Sequence, residues 1–90
     1  MGDYNMNESV VVYVDYGEIR FNIRPMMEKR HVSKTQLAKR TGLHHQIINR
    51  YYNNDLSRYD KDILARICYI LGCELSDIMY YEKPKKTENR

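Results

Sequence analysis

The stretch from Ser33 to Tyr51 constrains this chain more than any other, because its small, apolar and glycine positions are spaced for two short helices that meet at a steep angle. Ser33 followed by Gln36 is a capping box. The Ser33 hydroxyl serves the Gln36 N–H, the Gln36 carboxamide returns to the Ser33 N–H, and a helix starts at Lys34. Gly42 stops it, since glycine takes the left-handed conformation that ends a helix without steric cost. A second helix is expected from His45 to Tyr52, closed by Asn53 and Asn54. Leu37 and Ile48 then face each other across the pair, Ala38 is small because the second helix crosses close over it, and Leu43 plugs the corner. With those positions inside, His45, Gln46, Asn49 and Arg50 share the outer face of the second helix at spacings of three and four. These are side chains suited to base edges: Arg50 donates twice to guanine, Gln46 and Asn49 pair with adenine, and Ile47 offers a methyl contact to thymine.

The flanking sequence supplies further elements. Val10 to Val14 is a β-branched run, followed by a turn signal at Asp15-Tyr16-Gly17 and by Ile19-Arg20-Phe21. Two short strands in a hairpin are expected there, and so small a hairpin needs a further partner. That partner is either the Met79 to Tyr81 segment or a strand from a second subunit. Asn22 is the expected cap of a first helix, with Pro25 early enough that its missing N–H costs little and with Ile23, Met26 and Met27 as its apolar stripe. Asp60 caps a fourth helix carrying Ile63, Leu64, Ile67, Cys68 and Leu71 and ending at Gly72, and a fifth, short helix is expected near Leu75 to Met79.

Ninety residues with 42% hydrophobic content suit one compact domain. No window approaches the roughly 20 apolar residues of a membrane span, and Met1 to Ser9 is polar and acidic where a signal peptide is basic and then apolar. A cytoplasmic protein with reduced Cys68 and Cys73 is the expectation. The net charge of +3 decides little by itself, but Lys29, Arg30, Lys34, Lys39, Arg40, Arg50 and Arg58 lie centrally while most carboxylates lie toward the ends. His31, His44, His45, Cys68 and Cys73 lack metal-ligand spacing, and Cys68 falls on an apolar stripe, so no metal or other cofactor is expected. There is no Gly-rich phosphate loop and no serine placed with a base, which argues against an enzyme. The tyrosines Tyr13, Tyr80 and Tyr81 suggest a subunit interface.

The pattern Ser33-x-x-x-Leu37-Ala38-x-x-x-Gly42-Leu43-x-x-x-x-Ile48, with Leu64-x-x-Ile67-Cys68-x-x-Leu71-Gly72 and Asp77-Ile78-Met79 downstream, resembles the phage-repressor and Cro class of helix-turn-helix proteins, the Xre family. The resemblance covers about Phe21 to Tyr81. It implies a five-helix lambda-repressor-like DNA-binding domain, mostly α, with a small terminal β-sheet or hairpin. It further implies that the helix His45 to Tyr52 enters the major groove, that Lys34 touches phosphate at a helix N-terminus, and that the loop after Tyr52 touches the backbone. Thr35, Lys39, His44, Asn53 and Arg58 complete the expected phosphate contacts. Four positions depart from the family: His44 stands where Ser or Thr caps the recognition helix, Asn54 where Gly is common, and Met27 and Tyr52 where many members carry a buried Arg-Glu pair. Joint loss of both partners of such a pair is compatible with a folded domain.

The organisation expected is a disordered 1–9, a strand-forming and dimerisation segment 10–21, a DNA-binding domain 22–81 and a disordered charged tail 82–90. The function expected is sequence-specific binding of double-stranded DNA by a homodimeric transcriptional regulator of the repressing kind, with no membrane and no small-molecule ligand as partner. The alternative is an antitoxin-like protein-interaction module that keeps the same scaffold. Single-stranded RNA ranks last, because the recognition face has no aromatic platform.

Overall fold

The computed structural model describes residues 14–85. Strand β1 (Glu18–Phe21) leads into helices α1 (Arg24–Arg30), α2 (Lys34–Thr41), α3 (His45–Tyr52) and α4 (Lys61–Leu71), then a 3-10 turn (Leu75–Asp77) and strand β2 (Met79–Glu82). The two strands pair antiparallel, with Phe21 opposite Met79 and Glu18 opposite Glu82, and the Asn22 N–H extends the ladder to the Ile78 carbonyl at 2.7 Å. The partner of β1 is therefore the C-terminal segment of the same chain. Most of the Val10 to Val14 run lies outside the described residues, and Val14 to Gly17 form no strand. β2 runs on to Glu82, one residue into the segment read as tail.

Local chemistry explains the helix ends. The Ser33 Oγ accepts from Gln36 N–H at 3.1 Å and the Gln36 Oε1 accepts from Ser33 N–H at 2.9 Å, so the capping box forms in full. At the other end of α2, Gly42 has φ +75° and the Leu43 N–H reaches back to the Ala38 carbonyl at 3.2 Å, the hydrogen bond that closes a left-handed helix terminus. Asp60 accepts from Asp62 and Ile63 at the start of α4, and Gly72 ends it at φ +59°.

Two expectations fail, both where helix meets sheet. Asn22 does not cap α1; Ile23 holds that place without a side-chain bond, because Asn22 is the last rung of the β ladder and its backbone belongs to the sheet. The fifth helix is only the 3-10 turn, in which the Asp77 Oδ2 accepts from the Glu74 N–H at 2.8 Å. Met79 onward is drawn out of helical geometry by pairing with β1, so the described residues hold four α-helices rather than five.

Ile23, Leu37, Ile48, Ile67, Leu71 and Ile78 are fully buried and come from every layer of the molecule. Each contributes about 1.5–3 kcal/mol relative to exposure. Phe21 ties the sheet to this core, stacking edge-on against Tyr51 with ring centroids 5.2 Å apart, while the Tyr51 hydroxyl accepts from the Asp60 N–H at 3.1 Å. Asn54, left-handed at φ +56°, uses its Oδ1 to accept from the Phe21 N–H at 2.7 Å. Glycine would allow that backbone conformation but could not make the bond, which gives the departure from the family pattern a physical reason.

Candidate nucleic-acid interface

α2 and α3 meet as the spacing requires. Leu37 and Ile48 are both fully buried, and Ala38 and Leu43 pack against the core beside them. The interhelical turn has a support that sequence reasoning missed. Thr41 is buried, its hydroxyl donates to the Leu37 carbonyl at 2.7 Å, and its own carbonyl accepts from Arg66 Nη1 of α4 at 2.9 Å. Arg66 is held in turn by Asp62 at 3.0 Å, one helical turn earlier. The angle of the pair is thus pinned from α4, through groups that sit 25 residues apart in sequence.

Ile48 and Tyr51 anchor α3 inward. At about 100° per residue, this turns His45, Gln46, Asn49 and Arg50 outward as one sector. His45, Gln46 and Arg50 are exposed and Asn49 is half-buried. Ile47 behaves differently: it is half-buried against the core and lines a shallow groove with Leu56, Tyr59 and Ile63, so most of its apolar surface already has partners.

Among the expected phosphate contacts, Thr35, Lys39, His44, Asn53 and Arg58 are exposed. Arg58 and Arg50 share a polar concavity walled by Asn54, Asp55, Leu56 and Ser57, which joins the end of α3 to the loop that follows. Lys39 lies about 140° round α2 from Lys34 and is not brought to the α3 sector by a hydrogen bond or ion pair among the described residues. Lys34 is half-buried and engaged: its ammonium donates to Asn49 Oδ1 at 2.9 Å and lies 4.5 Å from the centroid of the Tyr52 ring. The Arg24 guanidinium lies 4.7 Å from the same centroid. Tyr52, where the family often has half of an ion pair, therefore offers an aromatic face to two cations, while Met27 is simply buried.

Arg30, one of the centrally placed bases, is a structural clamp. Its Nε donates to the Leu71 carbonyl at 2.7 Å and its Nη2 to the Gly72 carbonyl at 3.0 Å, tying the end of α1 to the end of α4.

The electrostatics of the surface are one-sided. No carboxylate occurs between Glu28 and Asp55. The first turns of α1, α2 and α3 hold no acid, although acids there stabilise a helix, whereas α4 starts with Asp60 and Asp62, the former beside Arg50 and Arg58 in the groove that Ile47 lines. His44 makes no side-chain cap, which leaves the opening amides of α3 free of a side-chain acceptor. A run of helix N-termini without competing carboxylates suits an anionic partner.

Cys68 and Cys73 face each other across the end of α4, with the Cys73 N–H donating to the Cys68 carbonyl at 3.1 Å. Burial raises both thiols: Cys73 goes to about 11, with the Cys68 thiol and Asp77 adding to the rise and Arg30 opposing it, while at Cys68 the hydrogen bond with Cys73 offsets part of the rise. Among the described residues no cluster of three or more His, Cys, Asp or Glu is placed to hold a metal, and no helix is long and apolar enough to cross a membrane.

Comparison with known proteins agrees with this geometry. The model of the Cro/C1-type helix-turn-helix DNA-binding domain matches residues 22–84. Among curated proteins none matches the chain. Seven chains of solved structures do. One is the crystal structure of a candidate DNA-binding protein from Bacteroides fragilis, at 17% identity and a TM-score of 0.62, covering 70% of this chain and all of that one. At that identity the likeness speaks for the fold alone. The family match rests instead on the span that includes all four helices and β2, and it makes this chain a member of the Cro/C1-type helix-turn-helix DNA-binding domain family.

Proposed function

We propose that the chain binds double-stranded DNA in a sequence-specific manner, with α3 in the major groove, and acts as a homodimeric transcriptional repressor. The observation that carries this reading is the outward sector of α3, with His45, Gln46 and Arg50 exposed and the surrounding helix N-termini clear of carboxylates. Arg50 is suited to guanine and Gln46 to adenine. Thr35, His44, Asn53 and Arg58 lie at the flanking helix starts and in the loop after α3, where contacts to the sugar-phosphate backbone position a recognition helix. Lys39 is assigned to the same role as an exposed base of α2. Ile47 contributes at most a methyl edge at the rim of the sector.

The homodimer is supported by the apolar surface at the free end of the sheet, where Val14, Tyr16, Ile19, Tyr80 and Tyr81 are all exposed. A two-fold dimer places two α3 helices on half-sites about one helical turn of DNA apart. Such a protein represses when its site overlaps that of the polymerase.

Selection from a randomised duplex library at two salt concentrations tests the reading. The expected product is a short, two-fold symmetric site whose affinity falls with salt. Arg50→Ala is expected to cost about 1–3 kcal/mol on that site and to relax one base preference, whereas Arg58→Ala lowers the salt slope by about one without changing the sequence preferred. Binding that is weak, unselective and fully suppressed by salt would remove the major-groove assignment and favour a protein partner.

A further inference from the structure

The ring of Tyr52, at the C-terminal end of α3, is the meeting point of three helices. Arg24 opens α1, Lys34 opens α2, and both cations lie within 5 Å of the ring centroid. Tyr52 and Asn49 are three residues apart on α3 and so adjoin on its surface. The Lys34 ammonium touches both, at 4.5 Å from the ring centroid and 2.9 Å from Asn49 Oδ1. No carboxylate engages Lys34 in the ion pairs of the described residues.

We infer that Lys34, held on the face of Tyr52, sets the polarity of Asn49 so that this position of the recognition helix selects guanine over adenine. This rests on the proposed entry of α3 into the major groove. An ammonium group has three donors and no acceptor, so the Asn49 carboxamide must turn its oxygen toward Lys34 and its NH2 away. The usual pairing of asparagine with adenine needs the opposite resource: the carboxamide oxygen accepts from adenine N6 while the NH2 donates to N7. Here that oxygen is already bonded to a cation, and an adenine amino group approaching it would bring a donor against the ammonium. Guanine presents two acceptors, N7 and O6, on the same edge. The Asn49 NH2 and a remaining N–H of Lys34 together match them, and the charged donor forms the stronger of the two bonds.

Tyr52 is the positioning residue. The four-carbon stem of lysine is flexible, and without an anchor its head group would range over solvent and phosphate. The ring keeps it beside Asn49, and the second cation on the ring, Arg24, adds to a field that disfavours any incoming donor. Lys34 thereby acts on a base edge rather than as a free phosphate contact.

The experiment is duplex selection with the full chain and with Asn49→Ala, Lys34→Met, Tyr52→Leu and Tyr52→Phe, each checked for native helicity by circular dichroism. The intact chain is expected to enrich guanine at one position per half-site, and Asn49→Ala to erase that preference. Lys34→Met should shift the same position toward adenine by on the order of tenfold. Tyr52→Leu should weaken the guanine preference while Tyr52→Phe, which keeps the ring face, retains it. The inference is overturned if the Asn49-dependent base is adenine in the intact chain, if no base depends on Asn49, or if guanine persists unchanged in Lys34→Met. An intact chain that enriches no site refutes the major-groove reading itself and takes this inference with it, whereas an enriched site carrying adenine refutes the inference alone.

Discussion

Replacing Arg30 tests whether the basic end of α1 serves DNA or the fold. The last carbonyls of a helix have no partner within it, and Arg30 supplies two donors to those at the end of α4, at 2.7 Å to Leu71 and 3.0 Å to Gly72. The Leu71 bond is partly buried and the Gly72 bond is exposed, so water replaces the second far more easily than the first. A hydrogen bond from a charged donor contributes about 1.5–3 kcal/mol net, and the favourable placement of a cation at a helix C-terminus adds about 0.3–1 kcal/mol. Discounting the exposed bond, Arg30→Ala should cost about 2–3 kcal/mol, a large share of the roughly 5–15 kcal/mol stability of a domain this size. Arg30→Lys keeps the charge but loses the fork, and about half the loss is expected. Urea unfolding reads this as a lower midpoint with an unchanged slope, and thermal unfolding as a fall of roughly 4–8 °C per kcal/mol. Duplex affinity measured well below the transition should be unaltered, with the same salt slope. A stability change under about 0.5 kcal/mol together with a salt slope reduced by about one would refute the clamp and make Arg30 a phosphate contact.

Ser33→Ala removes the acceptor for the Gln36 N–H and should destabilise the domain by about 1 kcal/mol in the same unfolding assay, with Ser33→Asp restoring most of it. Gly17→Ala should open the free end of the sheet, since at φ +83° an added Cβ would overlap the Glu82 carbonyl oxygen and lie 2.8 Å from the Tyr81 hydroxyl. Faster amide exchange in β1 and β2, with the helices unaffected, is the expected readout. Cys73 should make stability fall at alkaline pH: its thiol holds a proton more tightly folded, at about 11, than unfolded, at the ordinary 9.0, so its contribution is complete below pH 9 and is lost as pH rises through 11. The unfolding free energy of the intact chain relative to Cys73→Ala should be constant below pH 9, fall as pH rises from 9 to 11, and level off above that.

Much of the fold was legible because helix ends are governed by residues within a few positions of one another. Ser33 with Gln36, Asp60 with the amides after it, and Gly42 and Gly72 each act over one turn, so reading them needs no knowledge of the rest of the chain. Asn22 misled for the converse reason. It is a good cap by type, but the Ile78 carbonyl, far along the chain, had already engaged its backbone. The α3 sector was legible from period alone, since burying Ile48 and Tyr51 leaves only one direction for His45, Gln46 and Arg50.

The choice of partner for each charged side chain was not legible. Arg30, Lys34, Arg50 and Arg58 look alike in a list of bases, yet one clamps two helix ends, one lies on a tyrosine ring, and two stand beside an open concavity. What the sequence by itself determined is the set of short-range elements: where helices begin, where they stop, and which side of each is apolar. Only the tertiary structure decided that β1 pairs with β2, that Arg66 braces the interhelical turn, and that Asn49 shares its oxygen with Lys34. The physical reason is range. Caps and periodicity are settled by bonds within one helical turn, whereas a long cationic side chain is placed by whichever carbonyl, ring or amide the packed core happens to bring within reach.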